Sequence, residues 1–130
     1  MPEETLLAFD YGAKKCGVAL GNTLLKQARP LDIILEATRD GRFNRIEALL
    51  KRWQPERLVV GLALATDGGE QYASQHCRRF ARQLEGRFGL PVVLVDERGS
   101  SLEAQKTIGN EPDDAVAAAI ILQRYFDTLT

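Results

Sequence analysis

LLAFDYGAKKCGVALG, residues 6–21, reads as two short apolar runs on either side of a turn. Leu6 to Phe9 lead straight into Asp10. Gly12, Lys14 and Lys15 make a turn-forming patch, and a second run from Cys16 to Leu20 closes at Gly21. Short apolar runs bounded by glycine predict strands, and two in succession across a short turn predict a hairpin. Residues 6–9 do not alternate between apolar and polar, which predicts a strand buried on both faces in the middle of a covered sheet. A carboxylate at the end of such a strand is costly to bury unless it is hydrogen-bonded, paired or bound to a cation. Taken alone, Asp10 could equally cap the turn that follows, as Asp–x–Gly sequences commonly do.

The remainder of the chain supplies the context. Residues 26–36 hold Arg29-Pro30 and then LDIIL, a third strand that Pro30 would confine to an edge. Asp40-Gly41 reads as a turn. From Phe43 the apolar positions Phe43, Ile46, Leu49, Leu50 and Trp53 follow a helical period that Pro55 ends. Residues 57–64, RLVVGLAL, predict another buried strand, followed by the loop ATDGGE. A long helix should then present Ala73, Cys77, Phe80, Ala81, Leu84 and Phe88 as one stripe, with Arg78, Arg79, Arg82 and Arg87 off it, and Gly89 as its stop. Residues 90–95, LPVVLV, predict a third buried strand ending at Asp96-Glu97-Arg98. A short helix over residues 101–107 and a final one over 113–126 complete the chain. The order β-β-β-α-β-α-β-α implies an α/β fold with a five-stranded mixed sheet. Its first, fourth and fifth strands are parallel, its three buried strands are central, and helices cover both faces.

At 130 residues the chain is long enough for one ordinary core and too short for two, so residues 1–130 are read as a single domain. With 45% hydrophobic and 27% charged residues, the composition is that of a soluble globular protein. The longest uncharged apolar run, residues 115–122, is far short of a membrane span. The N-terminus MPEETLL lacks the basic n-region of a secretion signal, so a cytoplasmic location without membrane attachment is expected. Cys16 and Cys77 form no C-x-x-C pair and are expected as buried free thiols. A net charge of −1 argues against a strongly basic nucleic-acid binder, while leaving room for a local basic patch. The one histidine, His76, has no evident serine or cysteine partner and reads as a surface residue.

Three carboxylate sites stand at the ends of buried elements: Asp10 after the first strand, Asp96 and Glu97 after the last, and Asp113 and Asp114 opening the final helix. Parallel strands share a C-terminal edge, which would bring Asp10 and Glu97 out on the side where such sheets bind ligands. Asp114 shares a helical face with Ala118, Ile121, Leu122 and Tyr125, the side expected to meet the core, while Asp113 points about 100° away. Each site also has an ordinary structural explanation. Asp113 and Asp114 could complement the helix dipole, and Asp96 and Glu97 could pair with Arg98. Convergence of all three on one edge favours function. Mg²⁺ takes oxygen ligands, usually one or two carboxylates with water and substrate phosphate. Two such ions about 4 Å apart can stabilise the attacking and leaving oxygens of a phosphodiester displacement. Like charges held this close would repel one another without a cation. Lys14, Lys15 and Arg98 are placed to contact a backbone phosphate.

The segments FDYGAKKCGVALG, VVGLALATDGGE, VDERGSSLEA and DDAVAAAIILQRYF, in this order over nearly the whole chain, resemble the YqgF (RuvX) family. These are Holliday junction resolvase-like nucleases implicated in maturing the 5′ end of pre-16S rRNA. The resemblance implies a ribonuclease-H-like fold in which Asp10, Glu97 and Asp114 are the catalytic, metal-holding carboxylates and Mg²⁺ or Mn²⁺ is the cofactor. It also implies RNA or branched DNA as substrate, with ribosomal precursor particles among the partners and either a monomer or a homodimer as the working form. Asp67, Gly68 and Glu70 match the D-G-x-E loop and read as substrate-side or structural. The chain departs from the family pattern at Ala63, where proline usually follows V-G-L, and at Gly99, which replaces a larger apolar residue. Between Ala104 and Asp113 a short KTIGNEP replaces a longer basic loop.

Two other readings were weighed. A non-catalytic nucleic-acid or ribosome-assembly binding module would retain the fold, and the short loop favours it, whereas retention of all three carboxylates counts against it. An ATP photransferase reading, prompted by D-x-G-x-K, would be an ATP phosphotransferase of the actin and sugar-kinase type, which needs a second domain that 130 residues do not supply.

Overall fold

A computed structural model describes residues 3–12, 14–36, 38–64, 67, 69–96 and 114–129. The predicted hairpin is β1 (Thr5–Tyr11) and β2 (Cys16–Asn22), antiparallel from Thr5 opposite Asn22 to Tyr11 opposite Cys16. β3 (Gln27–Ile34) adds to β2 as an edge strand, and Pro30 stands opposite Ala19, where the register shifts. β4 (Arg57–Leu62) joins β1 in parallel and β5 (Val92–Asp96) joins β4 in parallel, so the sheet order is β3-β2-β1-β4-β5. Leu6, Leu7, Ala8 and Phe9 are fully buried, as expected of a central strand covered on both faces.

Three helices supply the covers: α1 (Arg39–Trp53), α2 (Tyr72–Phe88) and α3 (Asp114–Asp127). One side of the sheet packs Leu7, Phe9, Val18, Leu58 and Val60 against Phe43 and Ile46 of α1 and Phe80 and Leu84 of α2. The other packs Leu6, Ala8, Ala19 and Val59 against Ala118, Ile121, Leu122 and Phe126 of α3. Strand alternation therefore sends odd positions of β1 toward α1 and α2, and even positions toward α3.

Four expectations are corrected. β5 is an edge strand and only half-buried, not a central one. Its apolar run reflects helices on both faces, which says nothing about how many strands flank it. Asp40-Gly41 is not a turn before the helix but lies inside the first turn of α1, because Thr38 caps the helix by accepting from the Gly41 amide at 3.1 Å. On α2 the buried position is Ser74 rather than the exposed Ala73. The Ser74 hydroxyl donates to the Ala63 carbonyl and accepts from the Gln71 amide, completing a capping box. His76 is half-buried rather than a free surface group, with its ring edge-to-face on Tyr72 at 4.5 Å. Gly89 stops α2 as expected, in the left-handed conformation at φ 67°. The expected helix over 101–107 lies outside the described residues. No helix among those described is long and apolar enough to cross a membrane.

Candidate active site at the sheet edge

Asp10 stands directly opposite Gly17 in the β1–β2 ladder. Opposed residues of an antiparallel pair share a face and sit about 4.5–5.5 Å apart between Cα atoms. A Cβ on Gly17 would fall 1.9 Å from the Asp114 carbonyl oxygen, so the first turn of α3 rests on the Gly17 backbone. Gly21, further along the same face, leaves similar room for the Phe126 ring. β2 thus presents Gly17, Ala19 and Gly21 as a ledge, and α3 lies on it through Ala115, Ala118 and Ala119. This close approach brings Asp114 to Asp10. Both carboxylates are half-buried, with fully buried Ala8 and Ala118 on the same face behind them. The two side chains come from elements more than a hundred positions apart in the sequence.

The thiol of Cys16, next to Gly17, senses both charges. Burial pushes its pKa from the ordinary 9.0 up to about 12. The neighbouring Arg42 guanidinium pulls it down, and Asp10 and Asp114 push it further up. Cys16 and Cys77 are both buried free thiols, as expected.

The other predicted residues divide clearly. Lys14 and Lys15 are exposed at the hairpin tip, two positions or fewer from the β2 start. Asp96 ends β5, and its carbonyl accepts from Arg124 Nη1 of α3 at 2.9 Å, which fixes the end of the strand against that helix. Glu97, Arg98 and Asp113 lie outside the described residues. In the D-G-x-E loop, Asp67 Oδ1 accepts from the Gly69 amide at 2.8 Å, and Glu70 is held in a two-point pair by Arg78 at 2.8 and 3.1 Å. That pair lowers the Glu70 pKa, mainly through the hydrogen bond from Arg78. The loop therefore has a local structural role in the described region.

Two carboxylates with hard oxygen donors suit a divalent cation such as Mg²⁺ or Mn²⁺. Among the described residues no group of three His, Cys, Asp or Glu side chains gathers to hold a metal, so Asp10 and Asp114 form an incomplete set by themselves. Gly17 is the contributor that sequence reasoning passed over. Its signal was the period-two run of small residues at 17, 19 and 21, which marks a face that another backbone can approach closely.

Residues 4–128 match the model of a family described as RuvX, Holliday junction resolvase. A Bordetella petrii protein named "Putative pre-16S rRNA nuclease" is 68% identical over 130 residues, covering 99% of both chains. One of the same name from Paraburkholderia phytofirmans is 50% identical, covering 98% of this chain and 91% of its own. Among solved structures, Thermus thermophilus RuvC superposes with a TM-score of 0.55 at 17% identity, covering 96% of this chain and 95% of that one. Fowlpox virus resolvase, solved with Holliday junction DNA, superposes at 0.61 and 12% identity, covering 96% and 98%. These two share the ribonuclease-H-like fold with the present chain.

Proposed function

Because the chain belongs to the RuvX family, we propose that it is a divalent-metal-dependent nuclease that hydrolyses phosphodiester bonds in structured nucleic acid, with the 5′ end of pre-16S rRNA as its foremost substrate. The observation that carries this reading is the seating of Asp114 on Gly17, directly across the ladder from Asp10. Asp10 and Asp114 would hold the cation, with Glu97, the next residue in the sequence after β5, as the third carboxylate. A cation bound there would supply Lewis-acid polarisation of the scissile phosphate and offset the repulsion between the carboxylates. Ala8 and Ala118 keep the floor of the site dry, which strengthens every charge interaction above it. Lys14 and Lys15 would hold a backbone phosphate at the hairpin tip, and Arg98 would add a further contact. Arg124 positions the end of β5 through the Asp96 carbonyl.

The test is cleavage of labelled single-stranded RNA, a pre-rRNA-like fragment and a four-way DNA junction, each with Mg²⁺ or Mn²⁺. Asp10→Asn should lower cleavage by more than ~10²-fold, beyond the 10–100-fold that loss of an outer-shell partner costs, while the circular dichroism spectrum stays native. Cleavage that persists in Asp10→Asn would reject the assignment. Binding without cleavage of any of the three by folded wild-type protein would leave a nucleic-acid-binding module instead.

A further inference from the structure

On the opposite face of the same sheet edge lies a cavity of about 160 Å³ whose polar lining is dominated by Arg39, Arg42, His76 and Arg79. The helical period places these residues there. Arg39 and Arg42 are three apart in the first turn of α1, and His76 and Arg79 are three apart on α2, so each pair shares a face. Tyr11 forms the wall toward β1, and no Asp or Glu lines the cavity.

The guanidinium of Arg42 is only 5% exposed, and it stacks over the Tyr11 ring at 5.1 Å. Its Nη2 donates to the Glu36 carbonyl at 3.3 Å. Its head is therefore fixed before any ligand arrives. Arg39 and Arg79 enter no ion pair among the described residues. Basic side chains in a first helical turn oppose the macrodipole, whose positive end already points here. The last turn of α1 follows the favourable rule with Lys51 and Arg52, which makes its N-terminus the exception. An anion in the cavity would relieve both the dipole and the mutual repulsion of the arginines.

The volume narrows the choice. Small-molecule pockets run to roughly 300–1,000 Å³, and this one holds only about five waters at ~30 Å³ each. That space suits a phosphate group rather than a whole nucleotide. Tyr11 immediately follows Asp10 in β1, and alternation turns the two side chains to opposite faces. The cavity and the carboxylates therefore meet at one edge, separated by the end of β1.

We propose that this arginine cavity binds a backbone phosphate of the nucleic-acid substrate, away from the scissile one, so that the strand crosses the sheet edge from the α1–α2 face to the carboxylates. The assignment of the ligand rests on the nuclease reading, and the test is kept independent of cleavage. Affinity for a fluorescent single-stranded RNA is measured in EDTA between 50 and 200 mM salt for wild type and for Arg39→Gln with Arg79→Gln. Both residues are exposed, so the variant should fold normally. A control, Arg52→Gln with Arg82→Gln, removes the same charge outside the cavity.

The cavity variant should bind about tenfold more weakly, or worse, as expected for two lost charge-assisted hydrogen bonds. Its salt slope should fall by about 1.4, at ~0.7 per phosphate on a single strand. The control should lose clearly less on both measures, and inorganic phosphate should compete for RNA with wild type but not with the cavity variant. Equal losses in the two variants, or none, would overturn the proposal. So would phosphate binding that depends on Arg39 and Arg79 while RNA affinity does not, which would mark a site for free phosphate. A dimer that dissociates in the cavity variant with RNA affinity unchanged would assign the face to a second copy and equally overturn it. If wild type cleaves nothing yet the cavity variant still loses RNA affinity, the nuclease reading fails and the phosphate site stands.

Discussion

The two faces of the sheet edge are built from opposite materials. Toward α3 the surface is made of glycine and alanine, the helix backbone touches the strand, and the functional groups are carboxylates. Toward α1 and α2 it is aromatic, with Phe9, Tyr11 and Phe43 around Phe80, and the charged groups are arginines. Small residues let Asp114 come close enough to Asp10 for the two to act together. Large rings hold α1 and α2 further out and leave a cavity between them. One strand serves both sides, because adjacent positions 10 and 11 point to opposite faces. A thin, apolar sheet thus keeps groups that attract cations and groups that attract phosphate apart, within one residue of each other along the chain.

The strongest way to break this arrangement is Gly17→Ala. The added methyl would meet the Asp114 carbonyl at 1.9 Å and the Asp114 carbonyl carbon at 2.3 Å, and a helix backbone cannot move aside as a flexible side chain can. Overpacking typically costs ~1–3 kcal/mol, and a backbone clash belongs at or above the top of that range. Thermal unfolding should therefore fall by ~10 °C or more. Cleavage should drop as well, because α3 must lift from β2 and take Asp114 with it. A variant with wild-type stability and activity would show that the carboxylate face does not depend on this contact.

A middle-sized effect separates the faces by pH. Cys16 lies under both, buried, with Arg42 pulling its pKa down and the two aspartates pushing it up, and its thiol titrates at about 12 instead of the ordinary 9.0. Above pH 9 the unfolded chain releases this proton while the folded chain keeps it, so stability is full below about 9 and is lost as pH rises toward 12. One proton contributes at most about 1.4 kcal/mol per pH unit. Denaturant unfolding between pH 8 and pH 10.5 should show this loss in wild type and a shallower one in Cys16→Ala. Identical slopes would mean that the thiol is not shielded as the structure has it.

Much of this was legible in the chain. Non-alternating Leu6–Phe9 announced a doubly covered strand, Pro30 announced an edge, and the helical period of Ala118, Ile121 and Leu122 singled out Asp114 for the inner face. What escaped depended on partners far away in sequence. The pattern of β5 could report helices above and below but not the absence of a sixth strand. Asp40-Gly41 carried a turn signal that Thr38 overrode by capping the helix. Gly17 looked like a strand terminator until α3 was laid across it. The arginine cavity was hidden because its members belong to two helices whose mutual placement no local period encodes. Its trace was the spacing of three within each pair, 39 with 42 and 76 with 79.

The smallest expected effect tests whether the α2 side is as open as the α3 side is closed. Gly86 lies in α2, exposed, and a Cβ built there meets nothing within 4 Å. Where Gly17 has no room for a methyl, Gly86 has room and no use for its backbone freedom. Gly86→Ala should therefore stabilise the protein by about 0.5–1 kcal/mol, through helix propensity alone. In thermal unfolding this is a rise of a few degrees, ~2–5 °C, with RNA affinity and cleavage unchanged. A loss of stability instead would mean that something packs over this end of α2 in solution. A second copy of the chain would be the first candidate, and sedimentation at increasing concentration would reveal it.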